Sequence, residues 1–168
     1  MLYENKFLKK LKINISFINF FNLLLVLAIF SIDRITKNQI IENNLNYLPA
    51  YINNYLNLDL VWNTGIGFGL LNLQAGIYYH LISLAIILVL LFIIFLSFRS
   101  EKYERVFYSI IIGGAAGNLY DRMVYYAVPD FIDFHYNDYH WFTFNIADIF
   151  ITLGIILILM KDLLFKKK

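Results

Sequence analysis

The sequence contains no cysteine. Disulfides, thiolate zinc sites, iron–sulfur clusters and a cysteine nucleophile are therefore excluded together. Only three histidines are present and no H-E-x-x-H pattern occurs, so a zinc protease of the intramembrane type would lack its ligands. From these absences we expect neither a bound metal ion nor a cofactor.

Charged residues are also scarce. They make up 15% of the 168 residues, whereas 60% are apolar, and the mean hydropathy is +0.63. A soluble domain does not need so much apolar sequence to fill one core, so we expect the lipid bilayer to be the solvent. The small formal charge of +2 gives no indication of a nucleic-acid partner.

Four long apolar runs could cross a membrane, since a hydrocarbon core of about 30 Å needs about 20 helical residues. The runs are about 13–35, 77–98, 106–122 and 141–160. They predict an α-helical membrane protein with four transmembrane helices, formed as one domain over residues 1–168. The first run is too long for a signal peptide and has no A-x-A-like cleavage site after it, so we interpret it as a retained helix.

The positions of Lys and Arg predict the orientation. Both residue types are absent from the connections at about 38–76 and 123–140, but they cluster before the first run, between the second and third, and after the fourth. Basic residues near short loops hold those loops in the cytoplasm. We therefore expect both termini to be cytoplasmic and the two connections to lie outside.

The first outer connection is predicted to contain regular structure. Leu56, Leu58 and Leu60 alternate with polar residues, which is typical of a half-buried strand. The glycine-rich segment 63–69 then has the composition of a turn. We expect a small sheet or hairpin on the membrane surface, accompanied by the aromatic residues of the second connection at headgroup level.

Asp148 is the most informative single residue, because an ionisable side chain at membrane depth is costly and usually functional or paired. Asn145, three residues earlier, is predicted to share its helical face. A lone aspartate could simply join two helices. However, Asp130 and Asp133 lead back toward the fourth helix, and either could approach Asp148. Two carboxylates that share a water and one proton can hydrolyse a peptide bond without a metal.

Three further features have structural interpretations when taken alone. Gly113 and Gly117 in the third run have GxxxG spacing, which predicts close helix packing. Asp33 and Lys37 in the first run are four apart and could pair on one helix. Arg122 could extend its side chain to the headgroups.

Taken together, these elements resemble the lipoprotein signal peptidase family, also called signal peptidase II, over nearly the whole chain. The blocks that resemble the family occur in its order: Asp33-Arg34-Ile35-Thr36-Lys37, Asn63-Thr64-Gly65-Ile66-Gly67-Phe68, Gly113-Gly114-Ala115-Ala116-Gly117-Asn118-Leu119-Tyr120-Asp121-Arg122, Val128-Pro129-Asp130-Phe131-Ile132-Asp133 and Phe144-Asn145-Ile146-Ala147-Asp148. Pro129 and Gly67 depart from the usual pattern. Pro129 fixes the backbone directly before Asp130 and removes a donor.

The resemblance implies an aspartic endopeptidase with Asp130 and Asp148 as its catalytic residues, and Asp133 as a neighbour. The residues that it implies line or brace the substrate site are Asp33, Lys37, Asn63, Gly114, Asn118, Asp121, Arg122 and Asn145. The implied substrates are diacylglyceryl-modified bacterial prolipoproteins, cut just before the lipidated Cys. The enzyme is expected to work as a monomer among membrane lipids, as a multi-pass protein of the bacterial inner membrane with its site toward the outer face.

Two other functions compete with this interpretation. Another intramembrane aspartic protease, of the presenilin or prepilin-peptidase type, would need a G-x-G-D signature, but Gly65-Ile66-Gly67 continues to Phe68. A small ion-coupled transporter could use Asp148 and Lys37 to bind or relay a cation. No inverted repeat is visible to support the transporter.

Overall fold

The computed structural model describes residues 17–47, 49–65 and 77–165. These ranges contain four helices and four strands. In chain order they are α1 (Phe17–Tyr47), β1 (Ala50–Asn53), β2 (Leu56–Asn63), α2 (Ile77–Arg99), α3 (Glu104–Val124), β3 (Val128–Tyr136), β4 (Tyr139–Phe144) and α4 (Ile146–Leu164). Residues 13–16 of the first predicted span and 66–69 of the predicted turn lie outside the described residues.

Helix α3 is the centre of the bundle and packs against the other three helices. A Cβ on Gly113 would lie 2.8 Å from Cβ of Ile29 in α1, and one on Gly117 would meet the carboxylate of Asp33. On another face, a Cβ on Gly114 would lie 2.5 Å from the backbone oxygen of Ala147 in α4. The predicted close packing at the GxxxG motif is therefore confirmed, and each glycine is needed because a neighbour fills the space of a side chain.

Contacts at the far end of the bundle show how the helices run. Arg105, at the start of α3, donates a hydrogen bond of 2.9 Å to Asn19 near the start of α1. Lys161, near the end of α4, forms an ion pair of 2.7 Å with Glu104. Helices α1 and α3 are therefore parallel, whereas α4 is antiparallel to both.

Within the described residues, two helical segments are long and apolar enough to cross a membrane, Asn19–Glu42 and Tyr79–Arg99. Helices α3 and α4 have similar lengths but include charged residues close to their ends, such as Arg122 and Lys161. All four predicted runs are thus mainly helical in the described residues, while four crossings remain a prediction.

The first helix is longer than its predicted span. Helix α1 continues to Tyr47, so the beginning of the predicted outer connection at 38–76 is helical. The segment after Lys37 contains no glycine or proline until Pro49, which cannot continue a helix and disfavours helical backbone before it. The predicted span ends at 35 because hydrophobicity ends there, whereas the helix itself continues beyond it.

The fourth predicted span also begins too early. Residues 141–144 belong to β4, and α4 begins only at Ile146. The sequence Tyr-His-Trp-Phe-Thr-Phe is aromatic and β-branched, which favours a strand when a partner strand is adjacent. That partner is β3.

The four strands form one antiparallel sheet in the order β1-β2-β3-β4. The strand predicted around Leu56–Leu60 is confirmed as part of β2, and those residues are half-buried. Pro129 is accommodated in β3 opposite Trp62, which places Asp130 opposite Val61 at the end of the sheet nearest α4. The β3–β4 hairpin turns at Asn137, whose φ of 52° is tolerated by asparagine.

Candidate active site

Asp130 is fixed by two asparagine side chains. Asn63, the last residue of β2, donates a hydrogen bond of 2.8 Å from Nδ2 to Oδ2 of Asp130. Asn145 donates one of 2.6 Å from its own Nδ2 to Oδ1. Asp130 is only 2% exposed, so these neutral donors replace the water that would otherwise solvate its carboxylate.

Asn145 and Asp148 form the start of α4. Asn145 is the N-cap, with extended backbone angles, and its Oδ1 accepts the N–H of Asp148 at 3.1 Å. In return, Oδ2 of Asp148 accepts the N–H of Asn145 at 3.2 Å. This reciprocal arrangement is a capping box. The three-residue spacing therefore reflects a helix start. Asp148 lies in the first turn of α4, closer to the start of the helix than the predicted span at 141–160 implied.

The Asn145 side chain joins the two aspartates, because it donates to Asp130 and accepts from the backbone of Asp148. The second oxygen of Asp148, Oδ1, accepts a hydrogen bond of 2.8 Å from Nδ2 of Asn118 in α3. Both carboxylates are thus oriented by amides from three different elements, β2, α3 and the β4–α4 junction.

A buried ionic network supports these amides. Nζ of Lys37 donates to Oδ1 of Asn118 at 2.8 Å, to Asp33 at 2.9 Å and to Asp121 at 2.7 Å. Arg34 completes the network through ion pairs with Asp121 at 2.6 Å and Asp33 at 3.1 Å. Lys37, Asp33 and Asp121 are all 0% exposed. Two cations balance two carboxylates, which is the condition under which buried charge is tolerable.

The same network reaches α4 directly. Oδ1 of Asp33 accepts the backbone N–H of Ala147 at 3.1 Å, so a residue of α1 satisfies one of the free N–H groups in the first turn of α4. Gly114 makes the close approach possible, since any side chain there would strike the Ala147 carbonyl.

Arg122 is buried, at 6% exposure, so the suggestion that it extends to the headgroups was wrong. Its guanidinium donates to the backbone oxygens of Asn118 at 3.1 Å and Gly65 at 3.2 Å. In the described parts of the chain, its Nε has no acceptor. Arg122 therefore holds the end of β2 against α3 and retains a donor that could bind an additional group.

The electrostatic environment favours a proton on Asp130. Burial in a poorly solvated position, followed by the nearby charge of Asp148, raises the pKa of Asp130 from 3.8 to about 6. The hydrogen bonds from Asn63 and Asn145 act in the opposite direction but do not cancel these effects. Two carboxylates close enough to influence each other in this way titrate as a pair.

Of the two aspartates that the sequence left open, Asp130 is the one linked to Asp148 through Asn145. The carboxylate of Asp133 instead contacts His140, at 2.7 Å. The structure thus brings together Asp130, Asp148 and every side chain expected to brace the site, while Gly114 contributes through its contact with α4.

Two parts of the site were missed by sequence reasoning. Arg34 directly follows Asp33, and adjacent residues on a helix do not share a face. The sequence therefore gave no sign that Arg34 would join the same ionic network. The N–H of Ala147 belongs to the backbone, so no residue type in the sequence could indicate it.

A cleft of about 260 Å³ opens on the sheet beside Asp130, bounded by Asn63 and Trp141.

Two neighbouring carboxylates, one buried and one half-buried, are held by amides at one end of an apolar helical bundle, which is the arrangement expected of an aspartic protease of the membrane. The family model for signal peptidase II matches residues 25–164. The lipoprotein signal peptidase of Pelagibacter ubique (strain HTCC1062) is 44% identical over 160 residues, which cover 94% of this chain and 95% of the relative. The chain belongs to the signal peptidase II family.

More distant relatives agree with this assignment. The lipoprotein signal peptidase of Francisella tularensis subsp. novicida (strain U112) is 41% identical over 121 residues, covering 70% of this chain and 75% of the relative. Two solved structures of a bacterial membrane enzyme, determined by the in meso method, are similar in fold. Their TM-scores are 0.67 and 0.65, with 28% and 29% sequence identity, and they cover 83% and 88% of this chain and 90% and 92% of their own.

Proposed function

We propose that Asp130 and Asp148 are the catalytic pair with which this aspartic endopeptidase removes signal peptides from prolipoproteins. The observation that supports the assignment is the Asn145 side chain, which connects the two carboxylates through hydrogen bonds of 2.6 and 3.1 Å. A general acid and a general base must both reach the same reacting atoms, and a shared rigid neighbour keeps them at a fixed separation.

The reaction needs one ionised and one protonated carboxyl group. The ionised aspartate removes a proton from a water molecule as the water oxygen bonds to the scissile carbonyl carbon. The protonated aspartate then donates its proton to the departing amide nitrogen as the C–N bond breaks. The raised pKa of Asp130 suits this division, because it brings the loss of the shared proton closer to neutral pH than for an ordinary aspartate.

The ionic network has a positioning role in this proposal. Lys37 fixes Asn118, which in turn fixes Asp148. Because Lys37 is fully buried between Asp33 and Asp121, it has little freedom to move, and the carboxylate of Asp148 keeps its direction when substrate replaces water.

Arg122 is proposed to contact the substrate. An extended peptide must leave helical conformation before it can be cut, because helical carbonyls are already hydrogen-bonded. The backbone oxygens of the extended peptide then need hydrogen-bond donors. The Nε of Arg122 is available within the described structure, and Asn63 lies beside Asp130 at the edge of the cleft.

The substrates are proposed to be diacylglyceryl-modified precursors, cut just before the lipidated Cys, and the enzyme is proposed to act as a monomer among membrane lipids. A signal peptide and acyl chains can enter sideways from the bilayer. Exposed aromatic residues on the sheet, including Trp62, Trp141 and Tyr139, are suited to the level of the lipid headgroups, where amphipathic rings are favoured.

We further propose four transmembrane crossings in the bacterial inner membrane, with cytoplasmic termini and the site near the outer face. Asn19 and Lys37 lie 18 residues apart on α1, and at 1.5 Å per residue this corresponds to about 27 Å, close to the thickness of a hydrocarbon core. Glu104 and Lys161 mark the other end of the bundle. The distribution of Lys and Arg supports placing that end in the cytoplasm.

The test is cleavage of a lipidated precursor peptide in detergent, with no added metal and no ion gradient. We expect turnover by the parent protein and at least a roughly 10³-fold loss in Asp130→Asn and in Asp148→Asn, because each variant lacks one carboxyl group. Asp162→Asn is the matched control, since Asp162 lies at the opposite end of α4 and is 61% exposed.

Thermal melting of each variant separates loss of chemistry from loss of fold. Normal processing by either folded active-site variant would disprove the catalytic assignment. A folded parent protein that leaves the lipidated precursor intact would contradict the proposed substrate.

A further inference from the structure

A second cluster of ionisable residues lies on the β3–β4 hairpin, separate from the catalytic pair. It consists of Asp133, His135 and His140, each of which has a potential ligand atom within 4.8 Å of the others. Strand geometry explains the cluster. Asp133 and His135 are two apart on β3 and face the same side, and His140 lies directly opposite His135 on β4.

The cluster contains an unsatisfied buried atom. Oδ2 of Asp133 lies 2.7 Å from Nδ1 of His140 but 3.7 Å from Nδ1 of His135. His135 is only 5% exposed, and its Nδ1 has no hydrogen-bond partner in the described ranges. Buried polar atoms nearly always have a partner, so an imidazole nitrogen directed at a carboxylate beyond hydrogen-bond distance points to a ligand between them.

The surroundings are also those of a ligand site. Asn57 on β2 donates a hydrogen bond of 3.4 Å to the same oxygen of Asp133, which would orient that carboxylate as the outer partners of metal ligands do. The side chain of His140 is 57% exposed. An ion could therefore reach the cluster from solution and be held against a buried imidazole.

We propose that Asp133, His135 and His140 bind a divalent transition-metal ion of the Zn²⁺ type. Two imidazole nitrogens and one carboxylate oxygen are ligands that Zn²⁺ accepts, and a water molecule could occupy a fourth position. Mg²⁺ and Ca²⁺ prefer oxygen donors, so the two histidines disfavour them.

Two of the three distances between donor atoms need only small changes. Ligand bonds of about 2.0–2.2 Å in a tetrahedron place the donor atoms roughly 3.4 Å apart. The 2.7 Å contact of Asp133 with His140 must open, and the 3.7 Å contact with His135 must close, each by less than about 1 Å. The bound ion would then replace a hydrogen bond with three metal bonds and join β3 to β4 beside the cleft.

The proposed ion is not part of the peptidase reaction. Asp133 and His140 border the same cleft as Asp130, but no described contact connects either of them to Asp148 or Asn145. The expected consequence is a braced hairpin and a more stable folded state, because a ligand that binds only the folded protein raises its melting temperature.

The experiment uses the full chain in detergent, with any polyhistidine tag removed and residual metal stripped by EDTA. Titration with Co²⁺ should produce intense visible bands typical of four-coordinate cobalt, which saturate at one equivalent and disappear when Zn²⁺ is added. Zn²⁺ alone should raise the melting temperature of the parent protein.

His140→Gln and His135→Gln should both abolish the cobalt bands and the Zn²⁺-dependent rise in melting temperature. The loss of affinity should exceed the roughly 10- to 100-fold caused by removing a supporting contact. His80→Gln is the matched control, because His80 is the third histidine of the chain and is exposed on α2.

His140→Gln is expected to fold because the replaced side chain is largely exposed. The proposal is overturned if the parent protein gives no four-coordinate cobalt spectrum, or if the spectrum survives both histidine substitutions. Neither result would affect the assignment of Asp130 and Asp148, which depends on precursor cleavage.

Discussion

Asn145 donates a hydrogen bond of 2.6 Å to Oδ1 of Asp130 while its Oδ1 caps the backbone N–H of Asp148. One side chain therefore determines both where α4 begins and how the two aspartates face each other. This double use is possible because β4 ends at Phe144 and α4 starts at Ile146, leaving Asn145 alone between them. Capping and positioning can be separated by substitution.

We expect Asn145→Ser to remain nearly as stable as the parent but to cleave precursor about 10- to 100-fold more slowly. A serine hydroxyl is a good N-cap acceptor, but it is too short to reach Asp130. Asn145→Ala should lose both functions, with the same fall in rate and a further loss of about 1 kcal/mol in stability. The measurements are thermal melting and kcat in detergent.

The two substitutions distinguish positioning from capping. If Asn145→Ser keeps the parent rate, the contact with Asp130 is not needed for catalysis. If it loses as much stability as Asn145→Ala, the capping function has not been preserved and the comparison of rates cannot be attributed to Asp130 alone.

Lys37→Met should destabilise the protein by about 3–5 kcal/mol, since it leaves two buried carboxylates with one cation. Adding Asp121→Asn restores the charge balance with Asp33 and Arg34, so the double variant should melt above Lys37→Met alone. Lys161→Met is the control. Its ion pair with Glu104 is partly exposed, at 27% and 15%, so solvent screens it and its contribution to stability should be small. Equal melting of the two lysine variants would show that the network does not stabilise the fold.

Gly114→Ala should lower the rate of cleavage per folded molecule. Its Cβ would lie 2.5 Å from the carbonyl of Ala147, so the first turn of α4 must shift, and Asp148 shifts with it. Gly154→Ala is the matched control in the same helix pair, where the new Cβ would strike Ile111 far from the site. Gly154→Ala should lower the stability of the protein without changing the rate of cleavage per folded molecule. Equal kcat values for the two folded variants would contradict this distinction.

The sequence predicted the helices better than their ends. Hydrophobicity located four segments, but it could not show that α1 continues to Tyr47 or that Trp141 lies in a strand. Both outcomes depend on neighbours: a polar helix can extend from a packed one, and an aromatic run becomes a strand when β3 is available for pairing. Periodicity within one segment does not contain that information.

The candidate site was predicted in its residue types but not in its connections. Asp33 and Lys37 were expected to pair, and they do, at 2.9 Å. Arg34, the N–H of Ala147 and the shared role of Asn145 depend on how α1, α3 and α4 meet, which no spacing reveals. The cluster at His135 was missed for a similar reason, because its ligands follow no zinc motif and come together only in a paired hairpin.

The stability of the protein should depend on pH through Asp130. Its pKa is raised by burial from 3.8 to about 6, so the folded state binds this proton more tightly than the unfolded state does. Stability is therefore lost as the pH rises from about 4 to about 6 and is constant above that range, with about 1 kcal/mol of the loss falling between pH 5 and pH 8. The asparagine of the Asp130→Asn variant cannot ionise, so the variant should not lose this stability as the pH rises. The difference in melting temperature, Asp130→Asn minus parent, should therefore be larger at pH 8 than at pH 5 when both proteins are measured in the same detergent. A difference that stays constant or shrinks between pH 5 and pH 8 would show that Asp130 is not held in a poorly solvated position.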